Sequence, residues 1–234
     1  MDERLTPPWR LWEAVPVVLA AVAASTVASV ALAAGFGGVG GPALLLSAMA
    51  FQISLAMFTV IWVGVRHRGW VPALGFRSER PDRDVPLGGF VGVGLWAGLS
   101  YVVAPAVVLV WRAVAGSSPP TPNQLPGVDF GPVEITLGVV LLVVVTPIAE
   151  EVFYRGFLFG ALWPRVGSWW AGLISAALFG ASHLAGGAVL VPILFVFGLA
   201  QAALFRWRRS LVAPIAAHAV FNLIGLALIL MERL

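Results

Sequence analysis

Seven apolar runs, separated by polar or glycine- and proline-rich segments, dominate this chain. They cover about Ala14 to Ala34, Ala43 to Val65, Leu87 to Trp111, Gly131 to Trp163, Ser168 to His183, Gly187 to Phe205 and Leu211 to Leu230. A helix needs about 20 apolar residues to cross a hydrocarbon core about 30 Å thick. The pattern therefore predicts an all-α, polytopic transmembrane helix bundle of about seven spans. The fifth and sixth runs are short, and are expected to be tilted or partly irregular. Ala31-Leu32-Ala33 has the small-residue look of a signal-peptide cleavage box. The run is long for such a segment and follows Asp2 and Glu3, so it is read as a retained span.

The intervening segments fill in the plan. Met1 to Glu13 is polar and interfacial, with Trp9 and Trp12 suited to the headgroup region. Gly35 to Pro42 is a glycine-rich turn. Arg66 to Pro86 mixes arginines with Glu79, Asp82 and Asp84 and reads as a solvated loop, with an interfacial helix near Trp70; Ala115 to Pro132 reads as a second polar loop. Gly88, Gly92, Gly94 and Gly98 lie at four-residue spacings that let helices approach closely, and packing within one bundle is favoured over a dimer seam. Neither a repeat nor a domain-separating linker is visible. Residues 1–234 are expected to form a single integral membrane domain, with a catalytic four-helix core over 135–230.

Composition agrees with the pattern. The chain is 60% hydrophobic and only 11% charged, against about 25% charged for a soluble domain, and its mean hydropathy is +0.95. All 14 basic residues are arginine, and they sit mostly in the segments between runs. The basicity is read as membrane topology, with no nucleic-acid partner implied. With the N-terminus inside, Arg4, Arg10, Arg66, Arg68, Arg77, Arg80, Arg83, Arg165, Arg206, Arg208 and Arg209 fall inside, and Arg112 and Arg233 outside. This asymmetry predicts N-in, C-out. The absence of cysteine excludes disulfides, thiolate catalysis and cysteine-ligated metal.

Against this background, the stretch Pro147-Ile-Ala-Glu150-Glu151-Val-Phe-Tyr-Arg155-Gly156 is exceptional. A charge at a helix centre in a bilayer costs roughly 2.5 to 3.5 kcal/mol on translocon scales, so such groups default to functional sites. Two of the three histidines, His183 and His218, also lie in apolar runs. At about 1.5 Å per residue, Glu150 is roughly 19 Å from the inner end of its run and His183 roughly 22 Å along the fifth. His218 and Asn222 lie roughly 10 to 17 Å along the seventh, so three helices deliver polar groups to one layer. Glu151 and Arg155, four apart, share a face and read as an ion-pair brace; Glu150 points elsewhere and reads as the free carboxylate. Phe179 shares a face with His183, and His218 with Asn222, the latter giving two neighbouring donors. Gln201 is read as packing.

A carboxylate and an imidazole held away from bulk water can share a water molecule and take its proton as it attacks a carbonyl. His218 and Asn222 can donate to the developing oxyanion. No serine or threonine stands in the set, so a covalent nucleophile is not indicated.

Four ordered motifs, Glu150-Glu151-x-x-x-Arg155, Phe179-x-x-x-His183, Phe195-x-x-Gly198 and His218-x-x-x-Asn222, resemble those of the CPBP family. That family comprises the type II CAAX prenyl endopeptidases and the bacterial Abi, or bacteriocin-immunity, proteins. The resemblance implies an intramembrane endopeptidase in which Glu150 and His183 activate water and His218 and Asn222 hold the oxyanion, with Glu151 and Arg155 supporting. The metalloprotease label common in the family would make Glu150, His183 and His218 the ligands of a divalent metal such as zinc. No His-Glu-x-x-His occurs, and a mechanism without cofactor explains Asn222 more naturally. The implied partners are the bilayer and a membrane-embedded or lipid-anchored peptide or protein. The composition, rich in alanine, valine and arginine and free of lysine, suits a bacterial cytoplasmic membrane. Two rivals come from other classes. One is a non-catalytic immunity or scaffold protein; the other is a proton-coupled transporter, which would predict an internal repeat.

Overall fold

A computed structural model describes residues 7–38, 40–122 and 131–232. Arg4 and Arg233 of the arginine count, and residues 123–130 of the second polar loop, lie outside the described residues. Among those described, six helices are long and apolar enough to cross a membrane. We label them α1 (Ala14–Phe36), α2 (Gly41–Arg66), α3 (Pro81–Ala115), α4 (Pro132–Ser182), α5 (Leu190–Arg208) and α6 (Val212–Met231). Helix α4 contains the fourth and fifth predicted runs. It is broken at Gly167, whose φ of 77° and ψ of 162° suit a residue without Cβ. The two arms fold back on each other, because Ser175 Oγ donates to the Tyr154 carbonyl at 2.9 Å and the Tyr154 and Phe179 rings meet edge to face. Split there, the architecture is close to the seven runs read from the sequence.

Helices α1 and α2 are tied at their polar ends. The Glu13 carboxylate accepts from the Arg10 N–H at 2.8 Å and the Trp62 indole at 2.7 Å, and lies 2.8 Å from His67 Nε2. Trp9 departs from its expected interfacial place. It is fully buried, stacked on Phe157, and its indole donates to the Phe157 carbonyl at 2.9 Å. Trp12, by contrast, is exposed.

The 66–86 segment is also more than a solvated loop. A 3₁₀ turn at Val71–Leu74 plugs Leu74 into the core against Gly156 of α4, where an added Cβ would come within 2.7 Å of the Leu74 carbonyl. Gly75 accepts from the Leu211 N–H at 2.8 Å. Helix α3 starts within this segment, at Pro81, and buries Asp84 beneath Arg208, with Nε to Oδ1 at 2.6 Å, and Ser78. A proline and a charge run signalled a loop here, but Pro81 sits at the first helical position, where proline costs little, and the helix continues through Pro86 inside it.

The glycine spacing in α3 divides in two. Gly88 and Gly92 lie against α6, where an added Cβ would stand 2.4 Å from the Ala213 carbonyl and 2.5 Å from the Ala217 carbonyl; Gly94 and Gly98 face open space. The close approach is therefore an internal crossing of α3 and α6. Replacing Gly92 by alanine should destabilise the protein by about 1 to 3 kcal/mol through overpacking. Gly94→Ala should be neutral or slightly stabilising. Unfolding titrations in mixed micelles would compare the two.

Candidate functional site

The site forms where the first arm of α4 widens. Residues Thr146–Glu150 are α-helical and Glu151–Phe159 form a π-helix, so the two carboxylates straddle the change of winding. Helix bulges of this kind occur frequently at functional sites. Glu151 and Arg155 are wholly inaccessible and paired, with Nη1 to Oε1 at 3.0 Å. Arg155 Nη2 donates to the Gly198 carbonyl at 3.2 Å, and its guanidinium lies 4.7 Å from the Phe179 ring centre. Gly198 is small because α5 passes Ala176 so closely that a Cβ would meet it at 3.0 Å. The Phe-x-x-Gly motif thus has a physical reason: it brings a backbone carbonyl to the buried arginine.

Glu151 does more than brace Arg155. Its Oε1 lies 2.9 Å from His218 Nδ1 and also receives Gln201 Nε2 at 3.3 Å, while the same amide donates to the Pro214 carbonyl at 2.9 Å. Gln201, read from the sequence as packing, is therefore a member of the polar network. With Nδ1–H given to Glu151, His218 presents Nε2 toward Glu150 Oε2, at 3.8 Å. Neutral, that nitrogen accepts; as imidazolium it donates. His218 is stacked edge to face on Phe197 at 4.9 Å, which fixes its ring.

Glu150 is not isolated. Its Oε1 accepts from Gln52 Nε2 of α2 at 2.9 Å, and Oε2 is buried with no protein partner. Among the described residues the buried side-chain atoms without a partner are Gln52 Oε1, Glu150 Oε2, Glu151 Oε2, Arg155 Nε and Gln201 Oε1. All belong to this one network. Buried polar atoms rarely stay unsatisfied, so their concentration marks a place built to hold polar ligands or water.

The other two expected site residues stand at the margin. His183 caps the second arm of α4, and its half-buried ring puts Nδ1 2.8 Å from the Phe179 carbonyl and 3.3 Å from Ser182 Oγ. Donation from Nδ1 leaves Nε2 as an acceptor. The Phe179 ring lies between the histidines, 4.9 Å from His183 and 6.2 Å from His218. Asn222 Nδ2 donates to the Leu142 carbonyl at 2.8 Å, so one of its two amide hydrogens is engaged. Among the described residues no three His, Asp or Glu side chains gather as a metal site. Glu150, His183 and His218 are not among any such group.

An apolar groove of about 510 Å³ lies between α2 and α4, lined from α2 by Ile53, Ala56 and Met57 and from α4 by Ile148, Ala149 and Val152, among others; Glu150 is not among its lining residues. The site is the polar interior of a membrane-type helix bundle.

Residues 132–224 match the family model described as type II CAAX prenyl endopeptidase Rce1-like. A curated relative, "Putative membrane peptidase YdiL" of Bacillus subtilis (strain 168), is 33% identical over 90 residues, covering 38% of this chain. The match spans about a third of that relative's length, 35%. No solved structure matches. The matched residues lie in the C-terminal two fifths of the chain, where the four motifs also lie.

Truncating Arg155 to alanine should cost about 3 to 5 kcal/mol, because Glu151 would remain charged and buried without its partner. Lysine should recover only part, since an ammonium cannot fork to Glu151 and the Gly198 carbonyl together. Unfolding midpoints of both variants in mixed micelles would check this ranking.

Proposed function

We propose that this protein is a membrane endopeptidase that hydrolyses a peptide bond with a water activated by Glu150 and His183. The observation that carries the reading is the asymmetry of Glu150. One oxygen is held by Gln52, and the other is buried beside His218 with no protein partner. In this scheme the water gives one hydrogen to Glu150 Oε2 and directs the other to His183 Nε2, while its lone pair attacks the carbonyl carbon. The carbonyl oxygen becomes an oxyanion that accepts from the Nε2–H of His218 in its imidazolium form and from the free amide hydrogen of Asn222. The carbon–nitrogen bond then breaks, and the proton held by Glu150 passes to the departing amine. Glu151 orients His218, and Arg155 balances Glu151.

The apolar groove between α2 and α4 favours a substrate that is membrane-embedded or lipid-anchored, cleaved in a bacterial cytoplasmic membrane. The chemistry assigned to these residues needs no metal. Activity is expected to persist after exhaustive chelation, with no stoichiometric metal in the purified protein.

The test is a pool of palmitoylated peptides with randomised C-termini, reconstituted with the protein in liposomes and read by mass spectrometry. Glu150→Gln should lower cleavage by about 10²- to 10⁴-fold, the usual contribution of a general base, while the variant stays folded and inserted. Equal cleavage by wild type and variant would overturn the assignment of Glu150.

A further inference from the structure

We propose that Gln52 of α2 is a positioning residue of this site, one that selects which oxygen of Glu150 takes the proton. This rests on the hydrolytic reading above. Gln52 lies outside the 132–224 segment that matches the family model, so that likeness assigns it nothing. It is the lone amide side chain of the second apolar run, where an amide is costly unless bonded. Its partner is the carboxylate of Glu150, at 2.9 Å. An amide next to an ionised carboxylate can only donate, which orients it: Nε2 toward Glu150 Oε1, and its own oxygen away.

The ordinary alternative is a tie between two membrane helices, common for polar side chains. Two features go beyond a tie. First, the bond ends on the carboxylate that faces His218, the ring nitrogen being 3.8 Å from the other oxygen. Second, Gln52 Oε1 and Glu150 Oε2 are both buried and both lack a protein partner. With Oε1 engaged by Gln52 before and after proton uptake, Oε2 is the oxygen left to receive the proton. Gln52 does this without touching the scissile bond.

Two variants test it: Gln52→Met, which keeps length but has no polar atoms, and Gln52→Glu, which is isosteric but lacks the N–H. Each is made alone and combined with Glu150→Gln, reconstituted as the full chain, and assayed on the palmitoylated peptide pool. The Glu150 carboxylate band is read in parallel by infrared difference against Glu150→Gln. Loss of a hydrogen bond to a charged group should lower kcat roughly 10- to 100-fold. KM should not move, no further loss should appear on the Glu150→Gln background, and the carboxylate band should shift. Wild-type kcat in both variants, a change in KM alone, or an unmoved band would each overturn the positioning role and leave the endopeptidase reading intact. Failure of the wild-type protein to cleave any of the pool would overturn both.

Discussion

The buried pair of Glu151 and Arg155 is the constraint around which this bundle is organised. Both side chains are fully inaccessible, and an unbalanced charge at that depth would be prohibitive. The cost is offset by bonds drawn from α4, α5 and α6. Glu151 Oε1 collects Arg155 from its own helix, Gln201 from α5 and His218 from α6. Arg155 adds the Gly198 carbonyl and the face of Phe179. Close approach is what makes these bonds possible, and small residues supply it: an added Cβ at Gly180 would stand 2.6 Å from the Val191 carbonyl, and one at Gly156 would stand 2.7 Å from that of Leu74. The ion pair and the glycines are one device, since neither the charges nor the close helices would persist without the other.

From that device follows the difference between two adjacent carboxylates. Glu151 is saturated on one oxygen by three donors and has a fixed partner in its own helix. Glu150, one residue earlier and at the end of the α-helical segment, meets only an amide and the far nitrogen of an imidazole that Glu151 already holds. Each carboxylate keeps one oxygen without a protein partner, and the one on Glu150 is the one that faces His218 Nε2. His218 links the two, and a single ring thereby couples the Glu151–Arg155 pair to Glu150.

Much of this was legible in the sequence. The apolar runs gave the helices almost to their ends, and the i to i+4 spacing gave the Glu151–Arg155 pair. The histidines stood out because polar side chains in hydrocarbon are rare. The fold-back within α4 was marked only by Arg165 and Gly167 between two runs, which was enough to count the arms separately. Other features were hidden because they depend on contacts between distant residues. Trp9 looks interfacial by composition but finds a carbonyl and a ring on α4. Leu74 sits among charges that read as solvated, although it is itself a core residue. Gln52 and Gln201 are single amides, and nothing local reveals that each ends on a carboxylate. For Asn222, spacing placed it beside His218 but could not show that Leu142 already takes one of its hydrogens.

These long-range contacts change how the chain should be divided. The motifs all fall in the C-terminal two fifths, where the likeness to the family also lies, and the N-terminal helices look like generic spans. Yet Trp9 packs on Phe157, Leu74 packs on Gly156, and Gln52 holds Glu150, so three separate N-terminal positions bear on the α4 arm that carries the carboxylates. A helix held at both Glu150 and its π-helical stretch by elements outside the motif region has its geometry set in part from outside that region. The motif residues of the candidate site are thus in the C-terminal part, while the residues that fix its geometry are spread over both parts of the chain.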